Sequence, residues 1–371
     1  MTKAIVAGGG IAGTATALAL HRIGWDVSLF EARGEDADER GAFLTVAVNG
    51  IAALRTLGIN PDVALAGGYP TPTCVLRNGA GRELARAPLG GPTDDGLVTT
   101  TIRRADLYLA LRTAVRDAGI PIHYGRRVTG VTHDADLLVG ADGINSQVRR
   151  ELDDARPRYL GLLNAGGFTS EPVAADVDPT PGLMHMTFGR RCFFGWSVAP
   201  DGSVWWFANP PSRTPHHGSS DGWREHLIDL LSVDEGPAAA IVRATPDALG
   251  PWNTYDLPRV RTWRSDNVVL VGDAAHAASP SSGQGASMAF EDAVVLGEAL
   301  ASSASVPAGL AAYEEIRRPR VQKVVQAGRR NGSGKAAGPV GAAVRDFMMP
   351  PMMRLLYRNG HPQAWILDHR V

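Results

Sequence analysis

The chain has 371 residues, of which 44% are hydrophobic and 20% are charged, and its formal net charge is -1. This length exceeds the usual span of one hydrophobic core, so we expect more than one domain. A near-neutral chain offers no electrostatic basis for binding nucleic acid or an anionic membrane, and we predict neither as a partner. No segment reaches about 18 uncharged apolar residues, the length of a membrane span. We therefore expect a soluble protein that binds small molecules.

Cysteines and lysines are rare. Cys74 and Cys192 lie far apart, and no cysteine or histidine accompanies either one at metal-ligand spacing. The sequence therefore predicts no metal site and no disulfide framework, and the cytoplasm is the expected compartment. Lysine occurs only at positions 3, 323 and 335, so no lysine lies between Ala4 and Gln322.

The N-terminal third predicts alternating strands and helices. A short apolar run at 3–7, an apolar helical pattern at 11–23 and an alternating run at 25–30 form one βαβ unit. Two helices follow, "NGIAALRTLGI" and "RADLYLALRTAVRDAG", each ended by a glycine. The runs "PIHYG", "RRVTGV" and "ADLLVGADG" predict further strands.

From about Pro157 the pattern changes to short aromatic runs punctuated by proline and glycine, which predict antiparallel strands of a second domain. These runs are "MHMTFG", "CFFGWSVAP" and "SVWWFANP". A buried strand returns in "NVVLVGD", and a long helix is predicted from about Gly285. The remaining residues predict a polar-faced helix and a methionine-rich helical segment at the C-terminus.

The first glycine-rich turn, "GGGIAG", follows the first strand. Gly8, Gly10 and Gly13 match the spacing G-x-G-x-x-G, in which the glycines allow a tight turn, close approach of a pyrophosphate, and packing of helix on strand. Glu31 ends the second strand, where a carboxylate accepts hydrogen bonds from an adenosine ribose. A glutamate here disfavours a ribose 2′-phosphate, which leaves NAD or FAD.

A second glycine-rich passage, "VVLVGDAAHAASPSSGQGASMAFEDA", begins at Val268. Asp273 ends a buried strand, where an aspartate reaches ligand hydroxyls at the carboxyl edge of a parallel sheet. Pro280, Gly283 and Gly285 then precede a helix whose free N–H groups suit a partly negative heterocycle. An ordinary strand-to-helix connection is the alternative.

These two passages, with Glu31 and "LLVGADGINSQVR" from Leu137 to Arg149, resemble the three fingerprints of the FAD-dependent aromatic hydroxylases. These are single-component flavoprotein monooxygenases similar to para-hydroxybenzoate hydroxylase. The resemblance implies an α/β fold: a Rossmann-like FAD-binding domain (GR2-type) interrupted by a β-sheet-rich substrate domain, with C-terminal helices. It implies a division into FAD-binding parts at 1–72, 99–156 and 263–330, substrate-domain parts at 73–98 and 157–262, and a helical segment at 331–371.

The resemblance also implies which residues bind FAD, a tightly bound, non-covalent cofactor. Gly8 to Gly13 would hold the pyrophosphate, Glu31 the ribose, Arg104 the flavin (with Arg103 as a rival), and Asp273 the ribitol region. Pro280 to Ala286 would face the isoalloxazine, and Asp142, Gly143 and Arg149 belong to a motif shared with NAD(P)H binding. The full set of expected contacts is Gly8, Gly10, Ile11, Ala12, Gly13, Glu31, Ala32, Arg33, Gly41, Ala42, Arg104, Val128, Asp142, Gly143, Arg149, Gly272, Asp273, Pro280, Gly283, Gln284, Gly285 and Ala286.

The sequence departs from the family at two places. Only Thr132 to Asp134 separate "RRVTGV" from "ADLLVGADG", where the family has a hairpin, so either the hairpin is trimmed to a turn or residues are missing. Ser287 stands where the family often has asparagine, which puts one flavin contact in doubt.

The substrate side is less specific. Phe194, Trp196 and Trp206 are candidates to line a substrate pocket with Pro280, but aromatic strands also form plain core, and alternation places about half of them on each face. His276 is either a proton relay or a packing residue, and packing is the favoured interpretation. The cluster of methionines at 348–353 is either a lid or core. No catalytic residue is assigned.

Our hypothesis is a monooxygenase in which NAD(P)H reduces FAD, O₂ is captured as a C4a-hydroperoxyflavin, and a small aromatic substrate is hydroxylated. An apolar, aromatic-lined insertion favours a bulky, polyketide-like substrate over a small carboxylate. Two alternatives stay open, an epoxidase of the same fold and a flavin-binding protein without turnover. A halogenase is disfavoured, because the Trp-x-Trp-x-Ile-Pro stretch and a pocket lysine are missing from residues 4–322. The protein is expected to be a monomer or a homodimer.

Overall fold

A computed structural model describes residues 1–35, 42–131, 133–173, 177–247, 249–257, 259–333, 335, 338–358 and 360–371. Gly41, one of the expected cofactor contacts, and Thr132, in the shortened segment, lie outside the described residues. Within the described part, no helix is long and apolar enough to cross a membrane.

A five-stranded parallel sheet forms the centre of the first domain, in the order β15-β9-β1-β2-β8. Its strands β9 and β15 are buried along their whole length, as expected for a parallel sheet covered on both faces. The strands are β1 (Lys3–Ala7), β2 (Asp26–Phe30), β8 (Ile122–His123), β9 (Leu137–Gly140) and β15 (Val268–Leu270).

A seven-stranded sheet forms the second domain, in the order β14-β10-β13-β12-β11-β5-β6. All neighbours are antiparallel except β11 and β5, which are parallel. Two of these strands come from the segment 73–98 and the others follow Pro157. They are β5 (Thr73–Asn78), β6 (Glu83–Pro88), β10 (Arg158–Phe168), β11 (Leu183–Phe188), β12 (Phe193–Val198), β13 (Val204–Asn209) and β14 (Leu249–Asp256).

A small antiparallel sheet lies beside the aromatic strands of the second domain. It is formed by β3 (Phe43–Val46), β7 (Thr100–Arg103) and β4 (Tyr69–Pro70), in that order. A Cβ on Gly166 of β10 would lie 3.4 Å from the Cβ of Ala42, the residue before β3. The ring of Phe43 also lies 6.0 Å from that of Phe207 on β13. One face of the seven-stranded sheet is therefore turned toward β3.

The helices cover the parallel sheet and close the chain. Helix α9 contacts α1, α2 and α10, and most of its residues are buried, because its sequence is apolar on nearly all sides. The helices are α1 (Ile11–Arg22), α2 (Val48–Thr56), α3 (Pro61–Ala64), α4 (Arg104–Asp117), α5 (Gln147–Leu152), α6 (Trp223–Leu231), α7 (Ala238–Ala244), α8 (Asp273–His276), α9 (Gly285–Ser302), α10 (Val306–Ser333), α11 (Pro339–Arg358) and α12 (Ala364–Leu367).

The predicted fold class is confirmed: a Rossmann-like parallel sheet, a second sheet inserted into it, and C-terminal helices. One detail of the prediction is wrong. Residues 126–131, expected as the strand "RRVTGV", form no strand, because β8 ends at His123 and pairs only with the end of β2. Helix α10 ends at Ser333, three residues after the boundary expected between 330 and 331.

Candidate active site

The first glycine-rich turn joins β1 to α1. Gly8 has a φ of +110°, and an added Cβ would overlap the carbonyl oxygen of Ala141, while a Cβ on Gly13 would overlap the carbonyl oxygen of Gly8. Gly10 differs, since the nearest atom to its Cβ position is the hydroxyl of Tyr108 at 3.8 Å. It precedes α1 without a side-chain cap. The turn thus leaves N–H groups at an open surface of the kind that can bind a pyrophosphate.

Glu31 is tied directly to this turn. Its carboxylate accepts hydrogen bonds from the backbone N–H of Gly9 at 2.7 Å and of Arg33 at 2.8 Å. The side chain is half-buried and Arg33 is exposed. The ribose-binding residue expected from the sequence therefore lies beside the phosphate-binding turn, as one extended ligand requires.

The second glycine-rich passage meets the first at α1. Gly272 has a φ of +56°, and a Cβ there would lie 2.6 Å from the Cβ of Ala12. Asp273 follows and is exposed on one side, although protein surrounds its carboxylate on the other sides. Surrounding protein desolvates this carboxylate and raises its pKa, while the positive charges of His276 and Arg104 oppose the rise. The two passages expected to share one ligand are therefore adjacent.

Beyond Asp273 the chain forms a turn, Pro280 to Gly285, which we call the ring turn. Pro280–Ser282 is a single 3₁₀ turn, Gly283 adopts a φ of +61°, and α9 begins at Gly285 without a side-chain cap. Pro280, Gly283 and Gly285 are exposed. The α9 N-terminus therefore presents free N–H groups at the surface of this turn.

A network of buried charges supports the ring turn from below. Arg317 of α10 donates to Asp292 at 2.8 Å and to Glu291 at 2.7 Å, and Arg320 donates to Glu291 at 2.6 and 2.8 Å. The Asn49 amide donates to Glu291 at 2.8 Å and to the Gln284 side chain at 3.0 Å. Gln284 is thus fixed from inside the protein rather than turned outward.

Asp292 connects this network to the Asp273 turn. It accepts from the backbone N–H of Gly272 at 2.8 Å and lies 2.6 Å from Nε2 of His276. Burial alone would raise its pKa, but His276 and Arg317 reverse the effect and lower the pKa to about 2. His276 is 4% exposed and packs against Trp263, which supports the packing interpretation over a proton relay.

Arg103 and Arg104, the two rivals for the flavin contact, point in different directions. Arg103 lies over the rings of Phe168 and Trp205. Arg104 donates to the hydroxyl of Tyr108, and its charge acts on Asp273. Arg104 is therefore the arginine on the side of the glycine turns.

The motif at Asp142 is mainly buried. Asp142 accepts from the N–H groups of Gln147 and Val148 at the start of α5, while its Oδ1 atom is buried with no partner among the described residues. Arg149 is fully buried and donates to the carbonyls of Ala274 and Ile144. Arg149 thus joins this motif to the Asp273 turn and contacts no solvent.

Ser287 and two of the expected cofactor contacts, Val128 and Ala42, have close protein neighbours. Ser287 is fully buried, and its hydroxyl accepts from the Ala47 N–H at 3.2 Å, so the residue that departs from the family faces α2. Val128 is half-buried and packs against the core of the first domain. Ala42 lies beside β10, as described above.

The substrate-pocket assignment of Phe194, Trp196 and Trp206 is corrected by the structure. All three are at most 3% exposed and pack with α6 and α7 on the outer face of the seven-stranded sheet. Trp206 also donates to Thr245 at 2.8 Å. Alternation did divide the aromatic residues between two faces, but these three form the core with the helices.

The opposite face carries a second group of aromatic residues, which we call the aromatic face. Cross-strand pairing and ring contacts connect its members, with centroids 5.3 to 6.5 Å apart. The residues are Phe43, Phe168, Phe193, Trp205 and Phe207. This face is turned toward β3, and Thr45 of that strand lies beside Gly283 of the ring turn.

Several residues of this region were missed from sequence. Tyr108 stands over Gly10, Arg317 and Arg320 neutralise the carboxylates of α9, and Lys335 lies over the aromatic face. For Arg317 a signal existed: buried acidic residues in "FED" require cationic partners. The other two carried no signal, because their neighbours are distant in sequence.

The site fits FAD. The open surface at Gly10, the unpartnered Oδ1 of Asp142 and the exposed carboxylate of Asp273 all lie along adjacent turns of one Rossmann-like domain. An acidic residue, Glu31, directly follows β2. Fold and site thus define a dinucleotide-binding flavoprotein with a separate substrate sheet.

Comparison with known proteins identifies the family. Residues 123–328 match the family model described as "FAD binding domain". The chain is 31% identical over 373 residues to aurachin C monooxygenase/isomerase of Stigmatella aurantiaca, covering 94% of each chain. It is 31% identical to 2-heptyl-3-hydroxy-4(1H)-quinolone synthase of Mycobacteroides abscessus, covering 86% of each. The chain belongs to the FAD-dependent aromatic hydroxylases, whose cofactor is FAD.

A solved structure shows the same fold. Klebsiella pneumoniae HpxO complexed with FAD and uric acid superimposes with a TM-score of 0.81 at 24% identity, covering 96% of this chain and 95% of that one. The expected resemblance to the aromatic hydroxylases is confirmed by the family model and the sequence relatives, and this structure confirms the fold.

Proposed function

We propose that the protein is a monooxygenase that uses FAD, NAD(P)H and O₂ to hydroxylate a fused-ring aromatic substrate. One observation carries the proposal: the two glycine-rich turns and the ring turn adjoin one another, and the ring turn borders β3, which packs on the aromatic face. A cofactor that extends from Glu31 to the ring turn would end opposite a surface suited to an aromatic ligand.

The chain's residues hold FAD along this path. Uncapped N–H groups at α1 bind the pyrophosphate, Glu31 binds the ribose, and Asp273 binds the ribitol hydroxyls. Arg104, on the same side as Asp273, contributes positive charge. The remaining contacts are the glycine-turn residues and the Asp142 motif expected from the family resemblance.

The ring turn serves the reactive end. FAD supplies the redox chemistry, since it accepts reducing equivalents and activates O₂ for transfer to the substrate. Helix α9 spans 18 residues and directs its positive end at this turn, so its N–H groups stabilise negative charge there. The buried pairs of Arg317 and Arg320 keep the turn in place and spare the reaction a reorganisation cost.

The aromatic face supplies orientation and excludes water. Phe43 and Phe207 are half-buried, so each retains apolar surface against which a fused ring would stack. Two relatives bear the names of an aurachin monooxygenase/isomerase and a heptyl-hydroxyquinolone synthase, which favours a bicyclic, oxygen-substituted ring as substrate.

The reductant and compartment form part of the same proposal. NAD(P)H is the reductant proposed for this chain because the family uses it transiently, without a second Rossmann fingerprint. Cys74 and Cys192 are free and buried, as in the reducing cytoplasm that we propose as the compartment.

The test is a spectroscopic and turnover experiment on the purified chain. We expect a flavin absorption band, NAD(P)H oxidation stimulated by a bicyclic phenol or quinolone, stoichiometric O₂ uptake, and a product one oxygen atom heavier. A chain that shows no flavin band after FAD addition contradicts the cofactor assignment. A flavin-bound chain in which aromatic compounds stimulate neither oxidation nor O₂ uptake contradicts the monooxygenase.

A further inference from the structure

Lys335 is an isolated positive charge on the aromatic face. Its Nζ atom lies 4.2 Å from the ring centroid of Phe193 and 5.5 Å from that of Phe207, and donates to Oδ1 of Asn209 at 2.7 Å. Among the described residues it makes no ion pair with a carboxylate. One neutral acceptor therefore satisfies only one of the three N–H donors of this ammonium.

The segment that carries Lys335 passes over the ring turn. A Cβ on Gly332 would lie 3.4 Å from Oγ of Ser281 and 3.5 Å from Oγ of Ser279, and a Cβ on Gly328 would lie 2.8 Å from that of Ser282. Lys335 follows three residues after Gly332. The end of α10 therefore lies beside the ring turn, and the amine of Lys335 lies over the aromatic face.

Burying an ammonium without a counter-charge lowers the stability of the protein, and a bound anionic ligand would offset this loss. Protein around the amine desolvates it and lowers the pKa of Lys335 to about 8, so the ammonium is still the major form at neutral pH. The aromatic rings compensate part of the lost hydration through cation–π attraction. An anionic oxygen would compensate the rest and take the unused donors.

We propose that Lys335 binds the ionised oxygen of the substrate, a phenolate or the enolate form of a hydroxyquinoline. This inference rests on the proposed function and specifies its substrate class: a fused aromatic ring with an acidic hydroxyl, rather than a neutral arene or an alkene. By holding the oxygen as an anion, Lys335 keeps the ring electron-rich, the condition for accepting an oxygen atom from the cofactor.

The test compares two bicyclic ligands that differ only in this group, 2-naphthol and 2-methoxynaphthalene. Their binding to the FAD-loaded protein is followed by perturbation of the flavin absorption spectrum. We expect the wild type to bind the hydroxy compound more tightly. Lys335→Met should weaken that binding by about 10- to 100-fold, the range of a charged hydrogen bond, and should change binding of the methoxy compound by less than about twofold.

Two controls separate this role from a structural one. Lys335→Arg keeps the charge and should retain binding within about threefold. Lys323→Met removes an exposed lysine of α10 and should leave both affinities unchanged. FAD content and thermal midpoint are measured for every variant, so that a misfolded protein is recognised.

Three results would overturn the inference. These are equal loss of both ligands in Lys335→Met, equal affinity of the wild type for the two ligands, and binding of neither ligand at millimolar concentration. The proposed function has a separate criterion, since a wild type without flavin or without substrate-stimulated O₂ uptake fails it whatever Lys335 does.

Discussion

Buried charged side chains have different partners on the two sides of the candidate active site. Beneath the ring turn, Arg317 and Arg320 are paired with Asp292 and Glu291, and each carboxylate has several donors. Over the aromatic face, Lys335 has one neutral acceptor and two rings. The charges beneath the ring turn are therefore satisfied by the protein itself, whereas we propose that the charge of Lys335 is satisfied by a ligand.

The largest effect is expected from breaking the paired side. Arg317→Met leaves the buried carboxylates of Asp292 and Glu291 without their shared partner, so the free energy of unfolding should fall by about 3–5 kcal/mol. Urea denaturation measures the change. The matched control is Arg116→Met, which removes an exposed pair with Glu35 and should cost at most about 1 kcal/mol. Equal costs for the two variants would refute the comparison.

The next effect distinguishes the two faces of the seven-stranded sheet. Trp206→Leu empties core volume between sheet and helices and removes the Thr245 hydrogen bond, so unfolding free energy should fall by about 2–4 kcal/mol. KM of the folded enzyme should stay constant. Phe207→Leu on the aromatic face should instead raise KM with a smaller loss of stability. A raised KM in Trp206→Leu would contradict this assignment and indicate that Trp206 contacts the substrate.

A smaller effect is expected at Asp273, the exposed carboxylate of the cofactor side. Asp273→Ala removes the acceptor for the ribitol hydroxyls and should raise the Kd for FAD by about 10- to 100-fold. Flavin fluorescence during titration measures this Kd. Asp273→Asn retains an acceptor oxygen, so its Kd for FAD should lie between those of the wild type and Asp273→Ala. Unchanged FAD affinity in Asp273→Ala would contradict the proposal that this carboxylate binds FAD.

The smallest effect is expected at Tyr108, a neutral acceptor on the cofactor side. Tyr108→Phe removes a hydroxyl that accepts hydrogen bonds from Arg104. This hydroxyl lies 3.8 Å from the Cβ position of Gly10. Loss of one neutral acceptor should raise the Kd for FAD about two- to fivefold. An effect as large as that of Asp273→Ala would instead assign Tyr108 a direct role in binding.

The parts of the fold that follow local rules could be predicted from sequence. Gly8 and Gly13 are required by the close approach of other backbone atoms, and the apolar runs at β1 and β9 form strands as expected. Alternation could not tell which aromatic face of the second sheet meets helices, because period two is the same for both faces. Trp206 was therefore assigned to the wrong side.

Long-range pairings were beyond the sequence for a similar reason. Arg317 meets Asp292 from another helix, and Lys335 reaches Asn209 across 126 positions of chain. Local patterns contain no information on such partners. The sequence argument against a pocket lysine covered only residues 4–322. Lys335 lies beyond that range, and the fold brings it to the seven-stranded sheet.

Helix α10 is anchored to both domains by two arginines. Arg317 is paired with Asp292 in the first domain, and Arg329 donates to Asp256 of the substrate sheet at 2.7 Å. The spacing of these anchors is twelve residues of continuous helix, and each residue contributes about 1.5 Å of rise and 100° of rotation. One residue inserted between them would preserve every side chain of both sites and still turn Lys335 away from the aromatic face. The register of one helix thus links Asp292 of the first domain to Asp256 of the seven-stranded sheet.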